Sequence, residues 1–190
     1  MTVFFTADTH FGHAGARALY RRPFDSVAAM DAAMEERWNA AVGPGDEVWH
    51  LGDFALRMAE GAMAALLERL HGRKHLVTGN NDGAATLRLP GWASVQAYAE
   101  MAPQGPGSGQ ESGQGLVLCH YAFRTWRNMH RGWLNLHGHS HARLAPMPRQ
   151  VDVGVDAWAF RPVTLAEILA TKRRRTRPPG MAEGEAGPAG

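Results

Sequence analysis

Three short segments in the first half of the chain have the pattern of strands, and each is followed closely by Asp, His or Asn. The segments cover residues 3–7, 47–51 and 75–78, and the polar residues that follow them are Asp8 and His10, then Asp53, then Asn80. The first segment is a short apolar, β-branched and aromatic run that ends abruptly in polar residues, which is typical of a buried strand whose end opens onto a site. The sequence therefore predicts several short strands whose ends open onto a polar site.

Amphipathic segments separate these strands. Apolar side chains recur at helical spacing over residues 27–42, where Asp25 or Ser26 can cap the helix and Gly43-Pro44-Gly45 ends it. A second helix is predicted over residues 63–70, ending near Gly72. Strands that alternate with helices indicate a parallel α/β sheet, with the loops after the strands gathered at one edge.

Beyond Pro90 the pattern changes to strands joined by turns. The predicted strands cover residues 93–101, 115–120, 133–137 and 149–153. We expect these strands to form a second sheet. Thr164 can cap a last helix over residues 165–170.

The size and composition of the chain fit one globular domain, since it has 190 residues, 45% hydrophobic and 20% charged. We expect this domain over residues 1–171, with a flexible loop at about 103–115, and a disordered tail rich in Arg, Pro and Gly over residues 172–190. Five of the 20 basic residues and two of the 18 acidic residues lie in that tail, so the domain itself is close to neutral. A near-neutral domain argues against a broad face that grips nucleic-acid phosphates.

The surroundings of the protein are also constrained by the sequence. Cys119 is the only cysteine, so no disulfide forms within the chain, and its apolar surroundings indicate a core residue rather than a nucleophile. The first residues lack the basic region and the long apolar core of a signal peptide, and no apolar run is long enough to span a bilayer. We therefore expect a cytoplasmic protein without a membrane anchor.

Five separated blocks of the sequence carry side chains suited to metal chemistry. The blocks are Asp8-Thr9-His10, Gly52-Asp53, Gly79-Asn80-Asn81-Asp82, His120, and Gly138-His139-Ser140-His141. In this order they resemble the signature of the calcineurin-like metallophosphoesterase superfamily: D-x-H, G-D, G-N-H-[DE], H and G-H-x-H. The segment around Asp152, Asp156 and Trp158 looks like the closing segment of the small bacterial and phage-type members. The resemblance implies an α/β fold, a four-layer α/β/β/α sandwich with two mixed sheets.

The resemblance also implies a centre with two metal ions. The first ion would be held by Asp8, His10, Asp53 and His141, and the second by Asp53, Asn80, His120 and His139. Two cations about 3.5–4 Å apart repel each other, so a shared carboxylate, here Asp53, is needed to hold the pair. Carboxylate, imidazole and amide donors without thiolates suit Mn²⁺, our first expectation, or Fe, Zn or Ni.

The function implied by such a centre is hydrolysis of a phosphomonoester or phosphodiester by a metal-bridging hydroxide, with no nucleophilic side chain. The near-neutral domain favours a small phosphate ester as the substrate. A nuclease or nucleic-acid end-processing enzyme is an alternative that the basic tail permits. A non-catalytic metal-binding scaffold is another, because Asn81 stands where the superfamily has a histidine.

Asn81 leaves open which group protonates the leaving oxygen. Its amide can donate a hydrogen bond to substrate but cannot deliver a proton, and His13 is the candidate acid because it lies on the same loop as His10. Arg17 and Arg124 are candidate phosphate contacts. Asp82 is expected to orient a ligand histidine from behind rather than to bind metal.

Ordinary packing accounts for several other residues with polar or aromatic side chains. We expect His50 and His137 to be packed or hydrogen-bonded in the core. His71, His75 and His130 are expected at the surface or at strand edges. Tyr121 and Trp126, together with Arg124, either line a substrate pocket or are simply packed and solvated, and the sequence does not separate these alternatives.

Overall fold

The structure of the chain is a computed structural model that describes residues 1–102 and 114–176, the last five by backbone alone. Five of the described strands form a mixed sheet in the order β4-β3-β2-β1-β9. Their bounds are β1 Val3–Thr6, β2 Glu47–His50, β3 Arg73–Val77, β4 Trp92–Gln96 and β9 Val163–Thr164. The first four strands are parallel and β9 runs antiparallel to β1, so the loops after β1, β2 and β3 open at the same edge.

Four further strands form a second, smaller mixed sheet in the order β5-β6-β7-β8. They are β5 Ala99–Met101, β6 Leu116–Leu118, β7 Leu134–His137 and β8 Gln150–Asp152. Strand β5 is antiparallel to β6, whereas β6, β7 and β8 are parallel. The chain thus has the α/β fold with two mixed sheets that the sequence predicted.

The described helices are α1 Ala14–Leu19, α2 Val27–Ala41, α3 Glu60–Arg69, α4 Ala84–Leu87 and α5 Leu165–Thr176. Two of them, α2 and α3, cover the outer face of the larger sheet. There Phe4 and Val48 pack with Met34, Trp38 and Leu67 in one buried cluster. Alternate residues of the same strands point the other way, as the period of a strand requires.

A second buried cluster lies between the two sheets. Phe5 and Val77 of the larger sheet pack with Leu118, Leu136 and Val153 of the smaller-sheet region. Because β1 contributes Phe4 to one cluster and Phe5 to the other, it is buried on both faces, which accounts for the consecutive apolar residues Val3, Phe4 and Phe5. The site at its carboxyl end is therefore held by two cores at once.

The outer face of the smaller sheet is covered by the segment 121–133, which contains one 3-10 turn, Met129–Arg131. Asn135 of β7 is fully buried and its Oδ1 accepts a hydrogen bond from the backbone N–H of Phe123. Helix α5 packs its Ile168 into the cluster between the sheets. Among the described residues, no helix combines the length and apolar character that would let it cross a membrane.

The helix caps agree with the sequence. Ser26 accepts a hydrogen bond through Oγ from the backbone N–H of Ala29, which begins α2 as predicted. Thr164 caps α5, because its Oγ1 accepts from the backbone N–H of Glu167 while Glu167 accepts from Thr164 in return. Helix α5 continues to Thr176, beyond the predicted end at residue 170.

One strand prediction was wrong. Residues 93–101 are two strands, β4 in the larger sheet and β5 in the smaller one, so the second sheet does not begin at Pro90. No Gly, Pro, Asn or Asp marks the point where the chain changes sheets, and a continuous strand pattern hides it. The two-residue β9 and the short helices α1 and α4 were also missed, because segments of this length carry no periodicity.

The predicted limits of the domain stay a prediction. The loop at about 103–115 lies outside the described residues except for its last two positions. The tail over residues 172–190 lies outside them from residue 177, and α5 extends over the five residues before that.

Candidate metal centre

The five polar blocks all follow strands and meet at one edge of the sandwich. Asp8 and His10 follow β1, Asp53 follows β2, and Asn80 follows β3. The smaller sheet contributes the remaining side chains after β6 and β7, namely His120, His139 and His141. Backbone hydrogen bonds tie the first two loops together, from Asp8 N to Gly52 O at 2.9 Å and from His10 N to Asp53 O at 3.0 Å.

Left-handed backbone is concentrated in these loops. The φ angle is positive at five of the seven predicted metal ligands: Asp8, His10, Asp53, His139 and His141. Each residue with a Cβ pays about 1–2 kcal/mol for this conformation, and such strain persists where the surrounding structure enforces it. The loops therefore bend sharply enough to bring their side chains back over the sheet edge.

Two glycines allow the loops to approach this closely. Gly52 has a φ of +93°, and a Cβ there would lie 2.6 Å from the Cα of Gly79. A Cβ on Gly138 would lie 2.7 Å from Oδ2 of Asp8. Side chains at these positions would push the polar blocks apart.

Among the residues that the structure describes, two groups of buried side chains could hold a cation, and Asp8, His10 and His141 form the first of them. One donor atom from each lies within 4.8 Å of the others, and all three residues are buried. Neither ring nitrogen of His10 has a hydrogen-bond partner, although both are buried. An unpaired buried imidazole is costly, and a metal ion at this position would satisfy it.

The second group is formed by Asp8, Asp53 and His120, again with donor atoms within 4.8 Å of one another. Nδ1 of His120 is 2.8 Å from the carbonyl oxygen of Leu51, which can only accept, so Nδ1 carries the proton. The Nε2 lone pair of a neutral His120 then faces Oδ1 of Asn80 at 3.0 Å and Oδ2 of Asp53 at 3.7 Å. Converging acceptors of this kind fit a cation between them.

Exposure differs between the predicted ligands. Asp8, His10, Asp53, His120 and His141 are buried. Asn80 and His139 are exposed. The side of the centre that carries these last two residues is therefore the side open to solvent.

The titration of the buried groups also fits a bound cation. Burial, followed by the negative charges of Asp152 and Asp53, raises the pKa of Asp8 well above its ordinary value. Burial lowers the pKa of His10 from 6.5 to about 3 and so keeps the ring neutral, the form that ligates a metal. A divalent cation among these carboxylates would remove their repulsion and favour ionised Asp8.

Asn81 makes two hydrogen bonds to Asp53. Its backbone N–H donates to Oδ1 of Asp53 at 2.8 Å, and its side-chain Nδ2 donates to Oδ2 at 2.6 Å. Both oxygens of the predicted bridging carboxylate are therefore oriented by one residue. The predicted contact between Asn81 and substrate stays a prediction.

Asp82 differs from its predicted role. It was expected to orient a histidine, but its carboxylate instead accepts three backbone N–H groups, from Asp53, Phe54 and Gly79, at 2.8–2.9 Å. Asp82 thus fixes the backbone of the loop that carries Asp53. The spacing of the block could not distinguish a bond to imidazole from bonds to main chain.

His13, Arg17 and Arg124 stay predictions for proton transfer and substrate binding. The His13 ring lies 5.5 Å from that of His10 between centroids, and burial followed by the charges of Arg57 and Arg22 lowers its pKa below the ordinary 6.5. Arg17 donates from Nη1 to the carbonyl oxygen of Phe24 at 3.0 Å. Arg124 is exposed on the segment after β6.

Three residues at the centre were not assigned roles by the sequence. Tyr20 stacks on His141 with ring centroids 3.3 Å apart, and burial raises the pKa of its phenol. Arg22 is buried and pairs with Asp156, whose Oδ2 also accepts from Nδ1 of His141 at 2.7 Å. A buried arginine whose partner lies 134 positions away leaves no local signal.

Most of the packing expectations are confirmed. Cys119, His50 and His137 are buried. His71 and His130 are exposed. Trp126 is buried and donates to the carbonyl oxygen of Trp133, so it packs rather than lining an open pocket, whereas Tyr121 is 45% exposed beside His120 and His139.

The expectation for His75 was wrong. This residue is buried within the interior strand β3 and stacks on Trp49, with ring centroids 4.6 Å apart. Its Nδ1 is 2.7 Å from the hydroxyl oxygen of Ser94 on the neighbouring strand. Strand β3 pairs with β2 on one side and with β4 on the other, so His75 lies in the interior of the larger sheet rather than at an edge.

A two-sheet α/β sandwich that brings Asp, His and Asn donors to one edge is the arrangement of the metal-dependent phosphoesterases. The family model described as calcineurin-like phosphoesterase matches residues 1–179, and the chain belongs to this family. Its members bind divalent metals, and the two donor groups described above are the candidate ligands here.

Several known proteins are similar to the chain. The gene 66 proteins of Mycobacterium phages L5 and D29 are 29% identical over 181 residues and 33% identical over 184 residues. Each alignment covers 82% of this chain and 87% or 88% of the relative. A protein of unknown function from Aquifex aeolicus, AQ665, superposes with a TM-score of 0.67 at 20% identity, covering 89% of this chain and 98% of that chain, which shows a shared fold. The Escherichia coli phosphoesterase YfcE superposes with a TM-score of 0.42 at 19% identity, covering 81% and 78%.

Proposed function

We propose that the protein hydrolyses a phosphomonoester or phosphodiester with two divalent cations, Mn²⁺ being the expected metal and Fe, Zn or Ni the alternatives. The observation that carries this proposal is the convergence of Asp8, His10, Asp53, His120 and His141, all buried, with donor atoms close enough to share cations. Burying so many carboxylates and imidazoles without a cation would be unfavourable.

In this proposal the ligand sets follow the family signature. Asp8, His10, Asp53 and His141 would hold one cation, and Asp53, Asn80, His120 and His139 the other. When bound, such a pair supplies positive charge for the phosphoryl oxygens and lowers the pKa of a water molecule. The distances support sharing by Asp53, since Oδ2 of Asp53 lies 3.5 Å from Nε2 of His10 and 3.7 Å from Nε2 of His120.

The residues around the ligands would fix the centre before substrate arrives. Asn81 holds both oxygens of Asp53, and Asp82 holds the backbone behind it. Because these groups are already oriented, little reorganisation is needed when charge develops on the phosphoryl group. Substrate would enter on the exposed side, past Asn80 and His139.

A proton has to reach the oxygen of the leaving group, and His13 is our candidate donor. Its Nδ1 is buried without a partner, its ring lies beside that of His10, and both residues lie on the loop between β1 and α1. The lowered pKa of His13 leaves the free imidazole mostly neutral at pH 7. Negative charge on a bound phosphate would favour the protonated form that donates.

The expected substrate is a small phosphate ester, because the domain has little net charge outside its basic tail. The test is an assay of Mn²⁺-loaded protein with bis(p-nitrophenyl) phosphate and with p-nitrophenyl phosphate. We expect hydrolysis of at least one of them, lost on chelation and reduced at least about 100-fold in Asp53→Asn.

Asp46→Asn is the matched control for Asp53→Asn. Asp46 also accepts backbone N–H groups, from Thr2 and Gly43, but it lies at the opposite end of β2 from the centre. This variant should lose stability and keep its turnover. If the wild-type protein hydrolyses none of the esters, the scaffold alternative is favoured. Cleavage of DNA or RNA without hydrolysis of small esters would favour the nuclease.

A further inference from the structure

The guanidinium of Arg22 is completely buried behind the metal centre. It donates to the carbonyl oxygen of Asp8 at 2.6 Å and to that of Thr9 at 2.8 Å. Its Nε and Nη2 donate to the two carboxylate oxygens of Asp156, each at 2.9 Å. Such a bidentate pair compensates a buried charge and fixes the geometry on both sides.

Asp156 makes a third contact through the same carboxylate. Its Oδ2 lies 2.7 Å from Nδ1 of His141, the buried histidine of the first donor group. A carboxylate that receives both branches of an arginine fork is ionised and only accepts hydrogen bonds. Nδ1 of His141 must therefore carry the proton, which leaves the lone pair on Nε2.

The carbonyl groups that Arg22 binds belong to the strained loop after β1. Asp8 and His10 have φ angles of 57° and 50°. This conformation turns the carbonyls of Asp8 and Thr9 inward, where the guanidinium is their donor. One side chain thus stabilises the loop that carries two predicted ligands and the carboxylate that orients a third.

We propose that Arg22 and Asp156 are positioning residues of the metal centre, an inference that rests on the proposed function. Asp156 fixes His141 in the tautomer whose Nε2 can ligate a cation. Arg22 fixes the position of that histidine relative to the loop that carries Asp8 and His10. Metal-binding histidines commonly donate their second N–H to a carboxylate in this way, and losing the carboxylate typically weakens metal binding 10- to 100-fold.

The tautomer can be measured without metal. Two-bond ¹H–¹⁵N correlation spectra of the metal-free protein should show His141 protonated at Nδ1. In Asp156→Ala the proton on Nδ1 loses its acceptor, so His141 should no longer be held in the Nδ1-protonated form. A merely structural role for Asp156 would not change the tautomer in this direction.

Metal affinity is the second readout. In calorimetric titrations with Mn²⁺, Asp156→Asn should bind one of two equivalents about 10- to 100-fold more weakly and the other unchanged. Arg22→Lys keeps the charge but loses the fork, so it should weaken the same equivalent. Glu35→Gln is the matched control, because Glu35 also pairs through both oxygens with an arginine, Arg69, but at the surface.

The outcomes separate this inference from the proposed function. If the wild-type protein binds two equivalents and Asp156→Asn binds both with unchanged affinity, the positioning role is refuted while the function stands. If the wild-type protein binds no metal, the proposed function fails. Should the variants not fold, the wild-type spectrum still decides, since a His141 unprotonated at Nδ1 overturns the inference.

Discussion

The carboxylate of Asp82 accepts a hydrogen bond from the backbone N–H of Asp53 at 2.9 Å. The N–H groups of Phe54 and Gly79 donate to the same carboxylate, so one half-buried side chain joins the loops after β2 and β3. These two loops carry Asp53 and Asn80, one carboxylate and one amide that are predicted to share a cation. Their separation is therefore set by Asp82.

Asp82→Asn should destabilise the protein and weaken metal binding together. The amide replaces one acceptor with an NH₂ group that faces backbone donors, which we expect to cost about 1–3 kcal/mol of unfolding free energy. Urea unfolding and a Mn²⁺ titration measure the two effects. Asp46→Asn should lose stability alone, and equal metal affinity in Asp82→Asn and the wild type would refute this role of Asp82.

Asn81→His should restore a proton donor at the position where the superfamily has one. We expect the rate for esters with poor leaving groups, such as phenyl phosphate esters, to rise about tenfold or more relative to p-nitrophenyl esters. Asn81→Ala is the control, because it removes the bond to Asp53 without adding an acid. An unchanged dependence on the leaving group would show that protonation does not limit the reaction.

His13 should determine the basic limb of the pH profile for a poor leaving group. Since burial and neighbouring arginines lower its pKa below 6.5, kcat/KM should fall as the pH rises through a value below 6.5. His13→Gln should remove this limb and lower the rate. If His13→Gln keeps full turnover on such a substrate, another group is the acid.

His50 should make the metal-free protein sensitive to acid. The Thr9 hydroxyl donates to the carbonyl oxygen of Phe54 and so accepts from Nε2 of His50, whose Nδ1 is buried without a partner. Burial lowers the pKa of His50 from 6.5 to about 3. Below pH 6.5 the unfolded chain therefore binds a proton at His50 that the native chain does not bind. The free energy of unfolding consequently falls as the pH falls.

The loss due to His50 should approach about 1.4 kcal/mol per pH unit between these two values. Urea unfolding at pH 7 and at pH 4.5 measures it, and His50→Gln should show a flatter dependence by about one proton. His130→Gln, at an exposed position, is the control and should follow the wild type. Equal slopes in His50→Gln and the wild type would contradict the assignment.

The α/β fold and the meeting of the five polar blocks at one edge could be predicted because both leave local signals. Residues 3–7 form a mostly apolar run and residues 47–51 a short strand pattern, and the predicted ligands Asp8 and Asp53 lie just after them. Order in the chain and position at the strand ends are enough to place such residues at one edge.

The support of the site could not be predicted in the same way. Arg22 lies between α1 and α2 in a segment without periodicity, and its partner Asp156 lies 134 positions further along the chain. Asp82 was recognised, but its bonds to main chain depend on how the loops after β2 and β3 fold against each other. The passage of the chain from the larger sheet at β4 to the smaller sheet at β5 likewise depends on packing of the sheets rather than on any turn residue.

The most direct test of the proposed two-metal centre is the metal content of the protein after loading with Mn²⁺ and removal of free metal. The proposed centre predicts two equivalents per chain in the wild type and a clear loss in Asp53→Asn, whose carboxylate is shared between both donor sets. Asp46→Asn should retain two. A wild-type protein that retains no equivalent, or an Asp53→Asn variant that retains both, would contradict the account.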